Sequence, residues 1–271
     1  MGDVIDFEPR FDIVVYEEGV YDDMPFPEYN DLGAFRSHDL SAIMKDPYKY
    51  KYEEKPDSEA SFFVEGRLQH CLFLEPHVFD DEFVIAPKVD KRTKAGKEGY
   101  EDWTSGLNGR TPCKQDLYDI CMERREVLAD FIPKPEHKVE LTLVFEFWGQ
   151  PCKGKLDWYT GTDIWDLKTC RDASPRGFKN AVNSFRYYQQ AAFYMAAAEY
   201  LDIPCDKFYF LAQEKAHPYP FGVYTLTEEA VQYGHAKNQQ ALEIGLRCEQ
   251  TGDYRPFDNG LITEFNLSDL W

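Results

Sequence analysis

A chain of 271 residues is long enough to bury one large core or two small ones without covalent staples, and no run in it approaches the roughly eighteen apolar residues of a membrane-spanning helix. Seven cysteines, an odd number with no C-x-x-C pair, argue against a disulfide framework and for a reducing cytoplasm, as does an acidic start that lacks a basic-then-apolar leader. The formal net charge of −19 argues against a protein that holds polyanions through a uniformly basic surface.

The charge is uneven along the chain. Residues 1–35 carry ten acids against Arg10 alone, a net of −9, with Pro9, Pro25 and Pro27 breaking any periodicity. The spacing therefore predicts an irregular acidic arm over 1–36, followed by one domain over 37–271. Ser37 opens a short helix to Met44, stopped by Pro47, and Tyr48, Tyr50 and Tyr52 follow. A second helix is expected from about 59 to 74, with Phe62, Phe63, Leu68, Cys71 and Leu72 at helical spacing, ending before Pro76.

A strand at 82–87 then leads into a basic loop at 88–97, where Lys88, Lys91, Arg92, Lys94 and Lys97 face Asp90 alone, a net of +4. Such a loop suits phosphate contact or plain solvation. Pro112 suits the first turn of a helix running to Phe131, which Pro133 and Pro135 end. Three strands are predicted next, at 138–148, 153–159 and 163–169. In the first, Val139, Leu141, Leu143, Phe145 and Phe147 alternate with Glu140, Thr142, Val144 and Glu146. One long helix from about 175 to 200, strands at 207–213 and 221–226, and a helix opened by Thr227 and running to Gln250 complete the order. This is an α/β core of mixed sheet with N-terminal helical additions.

The stretch from Gly154 to Thr169 concentrates the chemistry. Tyr159 to Thr162 supply a reversal that brings Asp157 back towards Asp166, and Asp166 and Lys168, two apart on a strand, share a face. Two carboxylates and a lysine then converge beside Leu167. Buried carboxylates need a cation, and Mg²⁺ or Mn²⁺ suits oxygen ligands. With a fixed ammonium beside it, that arrangement suits attack of water on a phosphodiester. The alternative is a solvated hairpin with a surface Asp–Lys pair. On the helix that follows, Arg186, Gln190 and Tyr194 fall at i, i+4 and i+8 as one polar stripe, facing either water or a site. His70 lies four residues after Gly66 on the second helix, either packed or a ligand.

In their order along the chain, Gly66/His70, Glu140, Gly154/Asp157, Asp166-Leu167-Lys168 and Gln190/Tyr194 resemble the motifs of the PD-(D/E)XK nuclease superfamily. Within it they resemble the RecB-like branch that includes the exonuclease VIII (RecE-type) phage recombination nucleases. The segment Asp90–Lys97 and the strand Phe210–Lys215 also look like parts of RecE-type members, and the likeness spans about 37–255. The resemblance implies a restriction-endonuclease-like core. It implies that Asp157 and Asp166 bind the divalent metal with the carbonyl of Leu167, that His70 is a further ligand, and that Lys168 positions water and stabilises the pentavalent phosphate. It implies that Gln190, Tyr194 and Arg186 hold the DNA backbone or orient Lys168, and that Glu140 stands behind the ligands or faces solvent. Lys91, Arg92, Lys94 and Lys97 are the expected loop contacts to DNA. Leu156 stands where the superfamily name has proline, and the late cysteine triplet of iron–sulfur relatives is missing, so no cluster is expected.

The function so implied is a Mg²⁺-dependent exonuclease that resects linear duplex ends. Mn²⁺ could substitute for Mg²⁺. Such an enzyme would be a ring-shaped homo-oligomer in the cytoplasm, of phage or prophage origin, working beside a single-strand annealing protein and away from membranes. A structure-specific or restriction-like endonuclease, and a non-catalytic DNA-end-binding protein, are the alternatives.

Overall fold

The computed structural model describes residues 17–54, 61–90 and 92–255. A short edge strand β1 (Gly19–Tyr21) leads through α1 (Phe26–Asp31), α2 (Ser37–Lys45) and α3 (Pro47–Tyr52) to the longer α4 (Ser61–Leu74). After α5 (Phe79–Glu82), strands β2 (Phe83–Ile85) and β3 (Thr111–Cys113) form a parallel two-stranded ribbon around α6 (Lys94–Ser105). Helix α7 (Gln115–Val127) precedes the strands β4 (Lys138–Phe147), β5 (Gln150–Tyr159) and β6 (Asp163–Cys170). Helices α8 (Pro175–Ser184) and α9 (Tyr187–Tyr200), strands β7 (Lys207–Glu214) and β8 (Phe221–Thr225), and α10 (Glu228–Thr251) follow.

The main sheet has the order β1-β4-β5-β6-β7-β8, antiparallel except for the parallel pair β6–β7, which the crossover α8–α9 makes possible. One face packs against α2, α8, α9 and α10 through Leu40, Ile43, Phe178, Phe193, Ala197, Ala241 and Leu242. The other face packs on the end of α4 and the turn after α7, through Phe73, Leu74, Leu128, Trp158, Leu167 and Leu211. A mixed sheet between helical layers is the expected architecture. Local chemistry agrees with it. Trp148 (φ +48°) and Gly149 (φ +70°) form the two-residue reversal that a twisted β4–β5 hairpin requires. Ser174 and Thr227 side chains cap α8 and α10 by accepting the peptide N–H groups of Gly177 and Ala230.

Five expectations change. The segment 17–36 is not irregular: β1 pairs with β4, and the ammonium of Lys153 on β5 donates to the carbonyls of Tyr29 (2.6 Å), Leu32 (2.6 Å) and Asn30 (3.2 Å). Burial, with the charge of Arg36, pushes Lys153 down to about 8, while the carboxylates of Asp39 and Asp31 oppose that shift. Pro112 lies in β3, not in a helix, because a proline without an N–H is tolerated in a two-stranded ribbon. Lys94 and Lys97 lie on α6, capped by Thr93, so the loop ends before them. The single helix over 175–200 is two, broken at Phe185–Arg186, with Arg186 left-handed at φ +56°.

The fifth change lies in β4 and β5. Both ladder partners are skipped at Glu140 (φ +49°) and Asp157, although the register Val139↔Trp158 and Leu141↔Leu156 is unbroken. Across that interruption the strands change which way they face. Leu141 and Leu156 pack beneath α9, but Val139 and Trp158 pack on the opposite side. The uniform alternation read from the sequence therefore stops at the pair of acids. Such irregularities re-aim side chains beside sites.

Candidate active site

The kink in β4–β5 is followed by a split between β5 and β6. Their ladder contains only Trp158↔Trp165 and Tyr159↔Ile164, and then the strands part. The peptide N–H of Leu167, left without a strand partner, donates to Asp157 Oδ2 at 2.6 Å. Asp157 thus completes the backbone of β6 with its side chain. The carbonyl oxygen of Leu167 lies 3.2 Å from His70 Nε2. A carbonyl only accepts, so this nitrogen carries the imidazole proton, and Nδ1 stands 3.8 Å from Asp157 Oδ2.

Asp166 and Lys168 point together towards α9. Asp166 Oδ1 accepts from Lys168 Nζ and from Gln190 Nε2, each at 2.9 Å. Asp166 Oδ2 lies 2.7 Å from the same Nζ but has no hydrogen bond of sound geometry, which leaves a buried carboxylate oxygen under-satisfied. Burial pushes the Asp166 carboxyl up to about 6; Lys168 opposes this and Asp157 adds to it. For Lys168 burial works against the charge, yet the carboxylates of Asp166 and Asp157 outweigh it and hold the ammonium above the usual lysine range. Its Nζ also sits 4.9 Å over the Tyr187 ring. Glu140 is pushed up to about 7 by burial and by the charge of Asp157, with His70 and Lys155 pulling the other way.

Tyr194 is buried, shares a hydrogen bond with Gln190, and packs its ring on Gly154. A Cβ at Gly154 would fall 2.5 Å from Tyr194 Cε1, so only glycine lets β5 approach α9 this closely.

The structure therefore brings together His70, Glu140, Asp157, Asp166, the Leu167 carbonyl, Lys168, Gln190 and Tyr194. Arg186 is close by but off their stripe, because the helix break turns its guanidinium to the Tyr188 hydroxyl at 3.0 Å. Arg92, Lys94 and Lys88 are exposed and engaged by acids: Asp90 at 3.0 Å, Glu98 at 3.7 Å and Asp116 at 4.0 Å. Lys97 is exposed on α6, and Lys91 lies outside the described residues. The sequence did not single out Tyr187, Lys155 or Glu75. Burial pushes the Glu75 carboxyl up, and its charge is felt at Glu140. Their only signal is proximity in the folded chain.

Two features test whether a divalent cation suits these donors. Among the described residues, no three His, Cys, Asp or Glu side chains are already gathered around one point, since Asp157 and Asp166 are each engaged by N–H donors. Yet the donors converge on Leu167, whose own carbonyl is one of them, and the under-satisfied Asp166 Oδ2 and the upward-shifted carboxyls mark a local excess of negative charge. Carboxylates, a carbonyl and an imidazole are the donor set of a hard cation, and the residues fit one.

Comparison with known proteins agrees with this fold. A family model described as a PDDEXK-like domain of unknown function (DUF3799) matches residues 44–260. The crystal structure of a provisionally assigned exonuclease from Eubacterium rectale superposes with a TM-score of 0.56 at 14% identity, covering 88% of this chain and 92% of that one. It shares the fold. The structure of SSO0001 covers 73% of this chain and 84% of its own at 11% identity, but its TM-score of 0.27 carries no argument. No curated protein matches the chain.

Proposed function

The chain belongs to the PDDEXK-like family DUF3799, and from that premise we propose that it is a divalent-cation-dependent nuclease acting as an exonuclease on linear duplex DNA ends. The observation that carries this reading is the carboxylate of Asp166, held between Lys168 and Gln190 and facing Asp157 where β5 and β6 part. A purely structural ion pair has no use for a second carboxylate that raises the pKa of the first and so disfavours its charged form.

Asp157, Asp166, the Leu167 carbonyl and His70 are the groups that would hold Mg²⁺, with Mn²⁺ able to replace it. A divalent cation there would lower the pKa of an attacking water and offset charge on the phosphate. Lys168 is kept cationic by its acids and offers its protons to the phosphate oxygens as negative charge grows on them. Gln190 fixes the Asp166 carboxylate, and Tyr194 fixes Gln190, so both act by orienting rather than by touching the scissile bond. Glu140 stands behind Asp157. In this role the enzyme would be a ring-shaped homo-oligomer of RecE type, of phage or prophage origin, working in the cytoplasm beside a single-strand annealing protein. The order of the five motifs supports that finer reading. No helix among the described residues is long and apolar enough to cross a membrane.

Incubation with end-labelled linear duplex and with covalently closed circles, in Mg²⁺, Mn²⁺ or EDTA, tests the proposal. The expected result is degradation of linear DNA with either metal, intact circles, and no reaction in EDTA. Nicked circles would replace the exonuclease by an endonuclease, and binding of ends without cutting would replace both by an end-binding protein.

A further inference from the structure

The break between α8 and α9 presents an aromatic ring beside the site. Nothing in the sequence requires a break there, since residues 178–200 contain neither glycine nor proline. The turn places Arg186 in a left-handed conformation that costs an ordinary residue about 1 kcal/mol or more. It also leaves Phe185 with 64% of its surface exposed, although phenylalanine is among the residues most often buried.

An isolated exposed phenylalanine needs no explanation. This one continues a row of rings. Phe185 stacks on Tyr187 at 5.5 Å between centroids and 24° between planes, and Tyr187 stacks in turn on Phe210 at 5.8 Å and 28°. Tyr187 also carries the ammonium of Lys168 over its ring. The outermost ring is therefore one aromatic step from the lysine that faces the scissile phosphate.

The segment that carries this ring is cationic in sequence. Residues 171–190 contain Arg171, Arg176, Lys179 and Arg186 against Asp172 alone, a net of +3 in a chain of −19. Asp172 is tied to the peptide N–H of Ser174 at 2.9 Å, while Arg171, Arg176 and Lys179 are exposed. Stacking rings together with cations that track the backbone are how proteins hold single-stranded nucleic acid without reading its sequence.

We infer that Phe185 stacks on a nucleobase of the strand being cut, while Arg171, Arg176 and Lys179 on and before α8 follow its phosphates. This rests on the reading of the site as a DNA-cutting one. The bound partner is a base unpaired from its complement, close to the phosphate at Lys168. Stacking is tolerant of base identity, so the platform would grip any end without sequence preference.

The test uses the full chain and single-stranded oligonucleotides carrying 2-aminopurine at successive positions from either end, in EDTA so that nothing is cut. The wild type should quench the fluorescence at one position near one end. Phe185→Ala should abolish that quench and weaken single-strand binding roughly 5- to 100-fold, with an unchanged thermal midpoint because the side chain is exposed. Phe185→Trp should restore both, and Phe185→Leu, apolar but without a ring, should restore neither. A quench that survives in Phe185→Ala overturns the inference, as does a wild type that digests DNA without any position-specific quench; in both cases the nuclease reading stands. A wild type that neither binds nor cuts DNA overturns both readings together.

Discussion

Two donors, Lys168 and Gln190, share one oxygen of Asp166, and the chemistry proposed here depends on keeping those three groups apart in role. Asp166→Asn keeps the shape but removes the charge. It should reduce hydrolysis at least about 100-fold while the metal-free protein keeps its thermal midpoint, since repulsion from Asp157 is relieved as attraction to Lys168 is lost. Lys168→Met should cost two to four orders of magnitude in rate, roughly the worth of a group that stabilises developing charge, yet calorimetry should still register Mn²⁺ binding. Loss of metal binding along with the lysine would reverse its assignment. Glu140 gives a pH signature. Its folded pKa, about 7, lies above the usual value of 4.5, so the folded state holds the proton more tightly. The associated stability is present below pH 4.5 and is lost as pH rises through 7. In EDTA, Glu140→Gln should therefore be about as stable as wild type at pH 4.5 and more stable by roughly 1–3 kcal/mol at pH 8, as read by urea denaturation. An equal difference at both pH values would contradict the shift.

Where one element meets another, the contact of β5 with α9 is the most demanding. Gly154→Ala places a methyl group against the Tyr194 ring, and overpacking of this kind should cost about 1–3 kcal/mol. Tyr194→Leu in the same chain should recover most of that stability but not the activity, because Gln190 keeps its bond to Asp166 but loses the Tyr194 hydroxyl that helps to orient it. Failure of the second change to recover stability would show that the glycine serves something other than this approach. These contacts also explain what could be read from the chain alone. The hairpin was legible because Asp157, the turn and Asp166-Leu167-Lys168 lie within a dozen residues, and strand periodicity aims them. Gln190 and Tyr194 were legible through helical spacing. The kink at Glu140–Asp157 was not, since alternation of apolar and polar residues continues unbroken through it. The α8–α9 break carries no glycine or proline to announce it. Pro112 misled because the same missing N–H suits both a helix start and a ribbon strand. Gly66, one turn before His70, faces open space, so no packed neighbour explains that motif.

Over the whole molecule, an acidic protein must bind a polyanion through a confined patch. The sequence pointed to residues 88–97, but ion pairs to Asp90, Glu98 and Asp116 offset much of that charge. The less conspicuous Arg171, Arg176 and Lys179 are exposed and directly follow β6, the strand that carries Asp166 and Lys168. Replacing those three by glutamine should lower the salt dependence of DNA binding by up to about three phosphate contacts. The same change at Arg92, Lys94 and Lys97 should lower it less. Anisotropy titrations across salt concentration give both slopes, and the opposite ranking would return the DNA path to α6.

The grip of Lys153 on the carbonyls of Tyr29, Asn30 and Leu32 has a consequence for where this domain starts. The family match begins at residue 44, inside α2. A chain cut to residues 44–260 would lose β1, α1 and most of α2, including the fully buried Leu40 and Ile43. It would also take the three carbonyls from the Lys153 ammonium and uncover Val144, on which Met24, Tyr29 and Leu32 pack. Such a fragment should show no cooperative unfolding transition, whereas one starting at residue 17 should show one. The kinship shared by sequence is thus expected to be narrower than the unit that folds, with residues 17–43 forming the edge of the sheet and part of its cover rather than an appendage to it.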